Sequence, residues 1–504
     1  MKKIYQALCV SILLLSGIPL VARGAPEVNE NHKIIKIADE VPGLITPGLY
    51  DGAAMSLISS VYEYLVEINT DDGSIQPVLA TDWYTEDGSV WTLHLREKVV
   101  FHDGSEFDAF DVKYTLERTQ NPTVGHLRQK DFEIIQSIDV LDSHTINIYL
   151  KEPRPGFIYN LMDYNIAILS NEYDYGKFGE TRPMGTGPFK LDTLIPKESV
   201  VLKKFDHYWD NELPKVNALE IYFISDMDTA VSMLEQGIVD VVPFVTPLVK
   251  KQLETKDGFK VESPYQEQRF VSMAVDKKPF DDNRVRLAFK YSMDPHIIAR
   301  SIAQTELNEG VFYDESPIMN MLSEHKELPL RERNIDKAKQ LLREAGYPNG
   351  VTTELYFPSD HPFSKELAQS IKELAAPAGF TINLKGYPRD VYLSQYWLHV
   401  PISITGWGGR IDPTNLLTIA FTSDAPWNEL HMKSATIDEL VHKASMEVDY
   451  DTKVEYFHEI QDWFYEQGGL INIQVPLLIA MSDRIVNYRQ SLTQITQYKY
   501  TDKK

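Results

Sequence analysis

Cysteine is almost absent from this sequence of 504 residues, in which Cys9 is the one example. A single thiol excludes an internal disulfide framework and a cysteine-based zinc site. A chain of this length therefore depends on the burial of apolar side chains for its stability.

Catalytic signatures are also lacking. The sequence contains no Gly-x-Ser-x-Gly, no His-Glu-x-x-His and no P-loop, the patterns that place a nucleophile, a metal or a phosphate in large enzyme classes. Ser323 and Lys326 have the spacing of one penicillin-binding motif, but they lie in a polar stretch without its partner motifs. The 13 histidines are scattered. We therefore expect no enzyme and no protein-bound cofactor or metal, and keep a hydrolase only as a distant alternative.

Positive charge is scarce. Lys and Arg number 50 against 73 Asp and Glu, which gives a formal net charge of −23. Nucleic acids and anionic membranes attract basic surfaces, so neither is expected as a partner. The negative charge does not identify a cationic ligand, because acidic solvated surfaces are common.

Long apolar runs are confined to the start of the chain. Lys2 and Lys3 precede an apolar run from Ala7 to Leu15, and Ala22-Arg23-Gly24 offers small residues to a signal peptidase. This pattern predicts a cleavable signal peptide over residues 1–24. The alternative, an uncleaved anchor, needs about 20 apolar residues, more than this run supplies.

Removal of that segment has consequences for the exported protein. Cys9 would be lost, and it does not lie at the cleavage point, where a lipid-modified cysteine has to be. The mature chain would begin near Ala25 and keep 480 residues, enough for two or more domains. Its net charge would change from −23 to −26 with the loss of three basic residues. We expect a protein of the Gram-negative periplasm without a lipid anchor.

The segment from Leu79 to Arg118 combines strand, turn and helix signals. A Glu-Asp-Gly turn signal precedes Trp91, after which apolar and polar residues alternate as in a half-buried strand. A second turn follows, and Asp108 is expected to cap a helix with Val112 on its buried face. The predicted order is strand, turn, strand, turn, helix.

Helix and strand patterns alternate farther along the chain. Residues 219–243 predict a strand, a helix capped by Asp228 and ended by Gly237, and a second strand. This βαβ unit implies parallel strands. A helix predicted from Asn334 to Gly346 repeats the pattern in the second half, so the fold class is α/β with added hairpins.

These segments resemble the periplasmic binding proteins of the peptide and nickel ABC importers. The opening region carries the signature of that family: a strand ending in Leu95-Arg96, then Phe101-His102-Asp103-Gly104, then Ala109-x-Asp111-Val112. Later segments that match the family are Gly185–Phe189, Lys204–Trp209, Lys278–Asp282 with Val285, Arg286 and Ala288, and Lys339–Gly350. The resemblance covers nearly all of the mature chain.

The resemblance implies an α/β fold of the type II periplasmic binding proteins, with two lobes and an extra subdomain inserted in the first. The chain is expected to cross between the lobes near 262–270 and again near 472–480. The predicted divisions are a signal peptide at 1–24, a first lobe at 25–268 with the inserted subdomain at about 55–182, a second lobe at 269–475, and a return to the first lobe at 476–504.

A second informative segment follows a short strand predicted over Pro401 to Ile404. The Gly408-Gly409 pair predicts a tight turn that presents Trp407 and Arg410 at a strand end, where ligands bind in open α/β sheets. In the dipeptide-binding relatives, a segment of this form presents an aspartate to the amino group of the ligand. The matching position here is Arg410, a reversal of charge.

This reversal predicts an anionic group on the ligand. A guanidinium pairs bidentately with a carboxylate, at about 1.5–3 kcal/mol for a hydrogen bond to a charged group. The alternative is an internal ion pair between Arg410 and Asp412. Trp407 is expected to stack on the ligand, with a purely structural place in the cleft floor as the alternative.

Further candidates for ligand binding come from three other positions in the second lobe and two in the first. Asn415 follows the Arg410 turn, and Trp427 and Asn428 lie in a loop expected to cover the cleft. By the resemblance, Tyr50 and Met55 match residues that line the pocket of nickel-chelate binders, with core packing as the alternative.

One expected contact is missing. The first-lobe arginine of the nickel-chelate binders falls near Asn165 here, so half of the anion clamp is absent by that comparison. Arg128 and Arg154 are the candidates to replace it.

The resemblance implies the substrate-binding component of an ABC importer, a monomer that delivers a small carboxylate-bearing, peptide-like ligand to an inner-membrane permease and ATPase complex. Tyr50, Met55 and Arg410 favour an opine-type metallophore or another nickel, cobalt or zinc chelate, in which the chelator carries the metal. A di- or oligopeptide is the alternative ligand. A chaperone or chemoreceptor partner built on the same fold is the alternative of another class.

Overall fold

The structure of the protein is a computed structural model that describes residues 33–49, 55–70, 73–361, 363–492 and 495–504. It consists of two lobes, each built on its own sheet, and a subdomain inserted in the first lobe. Within these residues, no helix has the length and apolar character needed to cross a membrane.

The first lobe is built on a sheet to which the described chain contributes seven strands. Ile34–Asp39 lies at its centre and pairs in parallel with Ala218–Phe223 and with Val241–Val245. The strands lie in the spatial order Phe259–Glu262, Leu478–Ser482, Val241–Val245, Ile34–Asp39, Ala218–Phe223, Ser199–Lys204 and Phe189–Ile195.

The predicted βαβ unit is confirmed with one correction. Its two strands lie on either side of Ile34–Asp39 and are parallel to it. The helix cap is Asp226, not Asp228, because the Asp226 carboxylate accepts the N–H of Thr229 at 2.8 Å.

The second lobe is built on a mixed sheet to which the described chain contributes six strands. Gln266–Met273 pairs antiparallel with both Ile402–Trp407 and Leu470–Pro476. The spatial order is Phe312–Asp314, Leu470–Pro476, Gln266–Met273, Ile402–Trp407, Val351–Pro358 and Phe380–Tyr387.

Two short connections join the sheets. Residues 263–265 lie between Phe259–Glu262 of the first sheet and Gln266–Met273 of the second, and Leu477 separates Leu470–Pro476 from Leu478–Ser482. The exact lobe boundaries given by the sequence stay a prediction.

The inserted subdomain contains an antiparallel sheet in the order Ala80–Tyr84, Val90–Leu95, Thr145–Leu150 and Ile135–Asp142. Two-stranded ribbons pair Val66–Ile68 with Ile75–Pro77, and Ile485–Val486 with Asp502–Lys503.

Helices cover the sheets. In the first lobe and the subdomain they span Met55–Val61, Ala109–Gln120, Gln129–Phe132, Phe157–Asn160, Tyr175–Phe178, Met227–Glu235 and Pro247–Glu254. In the second lobe they span Asn283–Ser292, Pro295–Ala303, Ile335–Glu344, Ser364–Ala375, the 3₁₀ turn Ala376–Ala378, Arg389–Gln395, Pro413–Ala420, Ala435–Met446 and Tyr450–Gln467.

The structure confirms the predicted hairpin and helix of the opening region. Ala80–Tyr84 pairs antiparallel with Val90–Leu95. The Asp108 carboxylate accepts the N–H of Phe110, and the Asp111 carboxylate reaches back to the N–H of Asp108, which completes a capping box. This segment packs in the inserted subdomain and contributes no residue to the cleft between the lobes.

The second-lobe sheet has an apolar core on each face, because successive strand residues point to opposite sides. Val271 belongs to the core that contains the helix Ser364–Ala375. Its neighbour Phe270 belongs to the other core, together with Trp407 and Phe421. The register of the sheet therefore decides which side chains reach the cleft.

Candidate functional site

A cavity of about 340 Å³ lies between the two lobes, and we call it the interlobe cavity. Val245 and Leu478 reach it from strands of the first sheet, and Trp407 and Pro476 from strands of the second. Its charged lining consists of Glu40, Arg128, Glu267, Arg269, Arg389 and Arg410. Its volume lies in the range of small-molecule sites, and it occupies the ends of strands, where α/β proteins bind ligands.

A second cavity of about 540 Å³ lies beside it, between the inserted subdomain and the second lobe, and we call it the side cavity. Arg154, Asn415 and Asp424 line it, but no strand of the first-lobe sheet contributes. The interlobe cavity is the better candidate site despite its smaller volume, because strands of both sheets and the interlobe connection at Leu477 line it.

Trp407 reaches the interlobe cavity because its strand is longer than predicted. The sequence ended that strand at Ile404, but antiparallel pairing with the strand Gln266–Met273 continues to the pair Gln268–Trp407. The end of the strand is set by pairing with a distant segment, so no local sequence pattern indicates where the strand ends. Trp407 is therefore a strand residue, 7% exposed, that lines the cavity.

Three tryptophans form what we call the aromatic wall of the interlobe cavity: Trp397, Trp407 and Trp427. The Trp407 ring lies 6.2 Å from Trp397 and 5.8 Å from Trp427 between centroids. Tilted aromatic pairs at these distances stabilise each other beyond their buried area. Beneath the wall, the Glu429 carboxylate accepts the indole N–H of Trp407 at 2.7 Å and that of Trp397 at 3.2 Å.

Arg410 lines the interlobe cavity from the turn after the strand. Its Nη1 donates to the carbonyl oxygen of Gly409 at 3.1 Å, and its buried Nε has no acceptor among the described residues. The alternative of an ion pair with Asp412 is wrong. Asp412 caps the helix Pro413–Ala420 and pairs with Lys453 at 2.7 Å.

The first-lobe wall contains Arg128, one of the two candidates for the missing arginine. It is 2% exposed and lies 3.1 Å from Asp131 and 3.4 Å from Asp163. Burial opposes ionisation of Asp163, but the positive charges of Arg128 and Arg410, together with hydrogen bonds from Asn165, lower the pKa of that carboxyl. Two carboxylates thus balance Arg128, and it brings little net positive charge to the cavity.

Asn165 lies at the same wall. By the resemblance, it is near the position at which the nickel-chelate binders carry an arginine. Its side chain is buried, and no donor of the described chain reaches its Oδ1. Arg154, the other candidate, lies in the side cavity and pairs with Glu152 at 2.6 Å.

Arg269 is a cavity residue that sequence reasoning missed. It is 2% exposed, and its Nη2 pairs with the Glu267 carboxylate at 2.6 Å, while its Nε has no acceptor in the described part of the chain. Gly406 lies opposite it across the strand pair, and a Cβ there would come within 2.8 Å of Arg269 Nη1. The glycine therefore leaves the space that the guanidinium occupies.

Three predicted residues do not line the interlobe cavity. Asn415 lines the side cavity. Met55 is buried in the first-lobe core, which is the packing alternative given by the sequence. Asn428 holds its own loop, because its amide donates to the carbonyls of Thr422 and Met432. Tyr50 lies outside the described residues.

Metal-ligating side chains do not cluster in the described chain: no group of three or more His, Cys, Asp or Glu is placed to hold a metal ion. His361 lines the interlobe cavity singly. Any metal there would need ligands from the bound molecule.

Two lobes joined by two short connections, with a ligand-sized cavity between them, define a two-lobed solute-binding protein. The family model of bacterial extracellular solute-binding proteins, family 5 Middle, matches residues 74–429. The chain belongs to that family, and it is a transport binding protein rather than an enzyme.

Among its relatives is the glutathione-binding protein GsiB of Salmonella paratyphi A, 27% identical over 449 residues, with 85% of this chain and 86% of the relative covered. GsiB of Pectobacterium atrosepticum is 24% identical, with 94% of each chain covered.

Solved structures share the fold. DppA of Helicobacter pylori in complex with the peptide STSA aligns with a TM-score of 0.83 and 23% identity, over 94% of this chain and 98% of that one. AgaA of A. tumefaciens R10 with agropinic acid has a TM-score of 0.83 and 21% identity over the same shares. NikZ of Campylobacter jejuni with Ni(L-His) has a TM-score of 0.80 and 21% identity, over 93% and 97%.

Proposed function

We propose that this protein captures a small, carboxylate-bearing, peptide-like ligand in the periplasm and delivers it to an ABC permease and ATPase complex. The observation that carries the proposal is Arg410, whose guanidinium lines the interlobe cavity and makes no ion pair with any described carboxylate. A buried guanidinium N–H without an acceptor is costly, and a ligand carboxylate would supply that acceptor.

The polar groups of the cavity support a ligand with more acceptors than donors. The Nε groups of Arg410 and Arg269 lack acceptors, whereas Asn165 Oδ1 lacks a donor. A molecule with carboxylate oxygens and at least one N–H, such as a short peptide, would satisfy all three. The aromatic wall would cover its apolar portion.

The short peptide becomes the first choice over the metal chelate. The sequence favoured a chelate partly through Met55, but Met55 lies in the first-lobe core and not at the cavity. The relatives of the chain named above are glutathione-binding proteins, and glutathione is a tripeptide with two carboxylates. The chelate remains the second candidate because His361, a residue type that commonly binds metals, lines the cavity.

Closure would link capture to transport. Residues of both lobes line the cavity, so a bound ligand contacts both and stabilises the closed arrangement by its differential affinity. The permease would then recognise the closed form.

The ligand class is tested by native mass spectrometry of the purified protein before and after mild unfolding, with metal analysis of anything released. A single peptide-sized, metal-free species, or a set of short peptides, is expected. A metal-bearing small molecule would overturn the peptide choice. Calorimetry with a panel of glutathione, the dipeptide Met-Leu, agropinic acid and nickel with L-histidine then ranks the classes by Kd.

Arg410→Ala is the site-specific prediction. Loss of one to two hydrogen bonds to a charged group, at about 1.5–3 kcal/mol each, should weaken binding of the best panel compound at least about tenfold. Arg410→Lys should recover only part of that loss, because an ammonium lacks the bidentate geometry. Arg154→Ala, in the side cavity, serves as the matched control with unchanged affinity. An Arg410→Ala protein with wild-type affinity would make Arg410 a structural residue.

A further inference from the structure

Glu429 lies behind the aromatic wall of the binding site, and no sequence motif predicted its position. Its side chain is 3% exposed, and it does not line the interlobe cavity. Both of its indole hydrogen bonds, from Trp407 and Trp397, end on the same oxygen, Oε1. The other oxygen, Oε2, has no hydrogen-bond partner in the described chain.

Glu429 has no oppositely charged partner within ion-pair distance in the described chain. Among the described residues, no Lys, Arg or His forms an ion pair with it, although most other buried carboxylates near the cleft have such a partner. The strand Ile402–Trp407 presents Thr405 and Trp407 to it, and the strand Gln266–Met273 presents Ser272. The titratable group that faces it is Tyr392, on the helix Arg389–Gln395.

A lone buried carboxylate of this kind holds its proton to higher pH than one in water. Burial raises the pKa of Glu429 to about 7, against the opposing effect of the hydrogen bonds from Trp407 and its neighbours. Its charge therefore changes within the pH range of a bacterial environment.

We propose that Glu429 is a positioning residue of the binding site: it fixes the indoles of Trp407 and Trp397 and makes capture of an anionic ligand depend on pH. When Glu429 is ionised, both indole N–H groups are held by charge-assisted bonds, but a negative charge lies behind the wall that the ligand contacts. When it is protonated, that charge is gone. The affinity for an anionic ligand rises as the pH falls, and ligand binding is accompanied by proton uptake.

The positioning role is tested without any ligand. The seven tryptophans of the chain give seven indole N–H signals in a ¹⁵N-correlated NMR spectrum, and Trp397→Phe and Trp407→Phe assign the two of interest. These two signals are expected to shift together between pH 5.5 and 8.5 with a midpoint near 7, and to stay fixed in Glu429→Gln. Indoles that do not titrate in the wild type, or that titrate equally in Glu429→Gln, would overturn the proposal.

Glu63 offers a matched control. It is also buried, and its carboxylate accepts the indole N–H of Trp209 at 3.1 Å and the hydroxyl of Tyr208 at 2.7 Å. It lies in the first lobe and does not line the cavity. Glu63→Gln should move the Trp209 signal and leave the pH response of Trp397 and Trp407 unchanged.

The effect on capture rests on the proposed function and is measured separately, by calorimetry with the panel compound of lowest Kd. Wild-type affinity for an anionic compound should be about three- to tenfold higher at pH 6 than at pH 8, as expected for one like charge removed nearby. Because His361 lines the same cavity, the decisive comparison is with Glu429→Gln, in which most of the change should be lost. A wild-type pH dependence that Glu429→Gln retains in full would overturn the link to capture.

If Glu429→Gln does not fold, Trp397→Phe tests the same idea. That variant keeps the acid and removes one donor that stabilises its ionised form, so the Trp407 signal should titrate with a midpoint above that of the wild type. An unchanged midpoint would contradict the hydrogen-bonded arrangement. No panel compound is needed for this measurement, so failure of the proposed function leaves it intact.

Discussion

At the scale of single residues, Asp412 shows how one side chain serves two elements. Its carboxylate accepts the N–H of Thr414 at 2.8 Å and so caps the helix Pro413–Ala420. The same carboxylate, 4% exposed, pairs with Lys453 of the helix Tyr450–Gln467 at 2.7 Å. It therefore fixes the turn that carries Arg410 against the body of the second lobe.

Asp412→Ala should lower the free energy of unfolding by about 2–4 kcal/mol, because it removes a cap worth about 1 kcal/mol and leaves Lys453 without its partner in a largely buried place. Urea unfolding followed by circular dichroism measures this loss. Asp449→Ala, which removes the exposed cap of the helix Tyr450–Gln467, is the control and should cost less than half as much. Equal losses would mean that the Lys453 pair contributes nothing.

Sequence reasoning correctly placed at the cavity those residues that lie next to a turn or loop recognisable in the sequence. Trp407 and Arg410 lie beside a glycine pair, and Trp427 lies in the next loop. Arg269 and Trp397 had no such signal, because each reaches the cavity through pairing or packing with segments more than 20 residues away. Asn428 follows Trp427 directly, yet its side-chain amide donates both of its hydrogen bonds to carbonyl oxygens of its own loop. Adjacency in sequence did not decide which side chain faces the ligand.

At the scale of elements, the predicted helix caps Asp108 and Asn334 were correct and the cap predicted at Asp228 was two residues late, whereas the predicted end of the strand before Trp407 was wrong. Asn334 caps its helix as expected, because a cap is a bond between neighbours. The strand ends at Trp407, three residues later than predicted, because its end is set by the partner strand Gln266–Met273. Trp407 is therefore a strand residue of the aromatic wall and not part of the following turn.

The strand end makes a further prediction at Gly406. A methyl group there would approach Arg269 Nη1, the far end of a flexible side chain, so the guanidinium can move and the fold can tolerate the change. Gly406→Ala should therefore alter the free energy of unfolding by less than about 1 kcal/mol. Its affinity for the best panel compound should fall at least about fivefold, since the methyl and the displaced guanidinium both enter the cavity.

Calorimetry and thermal unfolding of the same samples separate these two effects. Gly176→Ala adds the same methyl to an exposed helix away from the cleft, where the nearest atom is 3.4 Å away, and should leave affinity unchanged. A Gly406→Ala protein that binds like wild type would show that Arg269 does not depend on the space above Gly406.

At the scale of the whole molecule, the two-lobed arrangement followed from the resemblance and not from any local pattern. Strand order in both sheets brings together segments more than 200 residues apart, such as Val241–Val245 with Leu478–Ser482. No periodicity encodes such pairings. The family resemblance predicted the two lobes and the crossings between them, but it did not predict this strand order.

The lobes also touch outside the ligand cavity. In the side cavity, Lys130 of the inserted subdomain donates from Nζ to the carbonyl oxygen of Asp424 in the second lobe at 2.7 Å. This contact exists only when the lobes are close, and it requires no ligand. It should therefore favour the closed arrangement whatever the cargo is.

Lys130→Ala should weaken capture although Lys130 lies outside the interlobe cavity. The hydrogen bond that the variant lacks is exposed and stabilises the closed form by about 0.5–1 kcal/mol. The variant should therefore release ligand about two- to fivefold faster than the wild type. Stopped-flow release of the best panel compound measures that rate, and small-angle scattering of the ligand-free protein should show a larger radius of gyration.

Lys151 lines the same cavity, and its ammonium makes no hydrogen bond or ion pair with the described residues. Lys151→Ala should therefore match wild type in both measurements. If Lys130→Ala and Lys151→Ala release ligand at the same rate, closure is governed by the interlobe cavity alone.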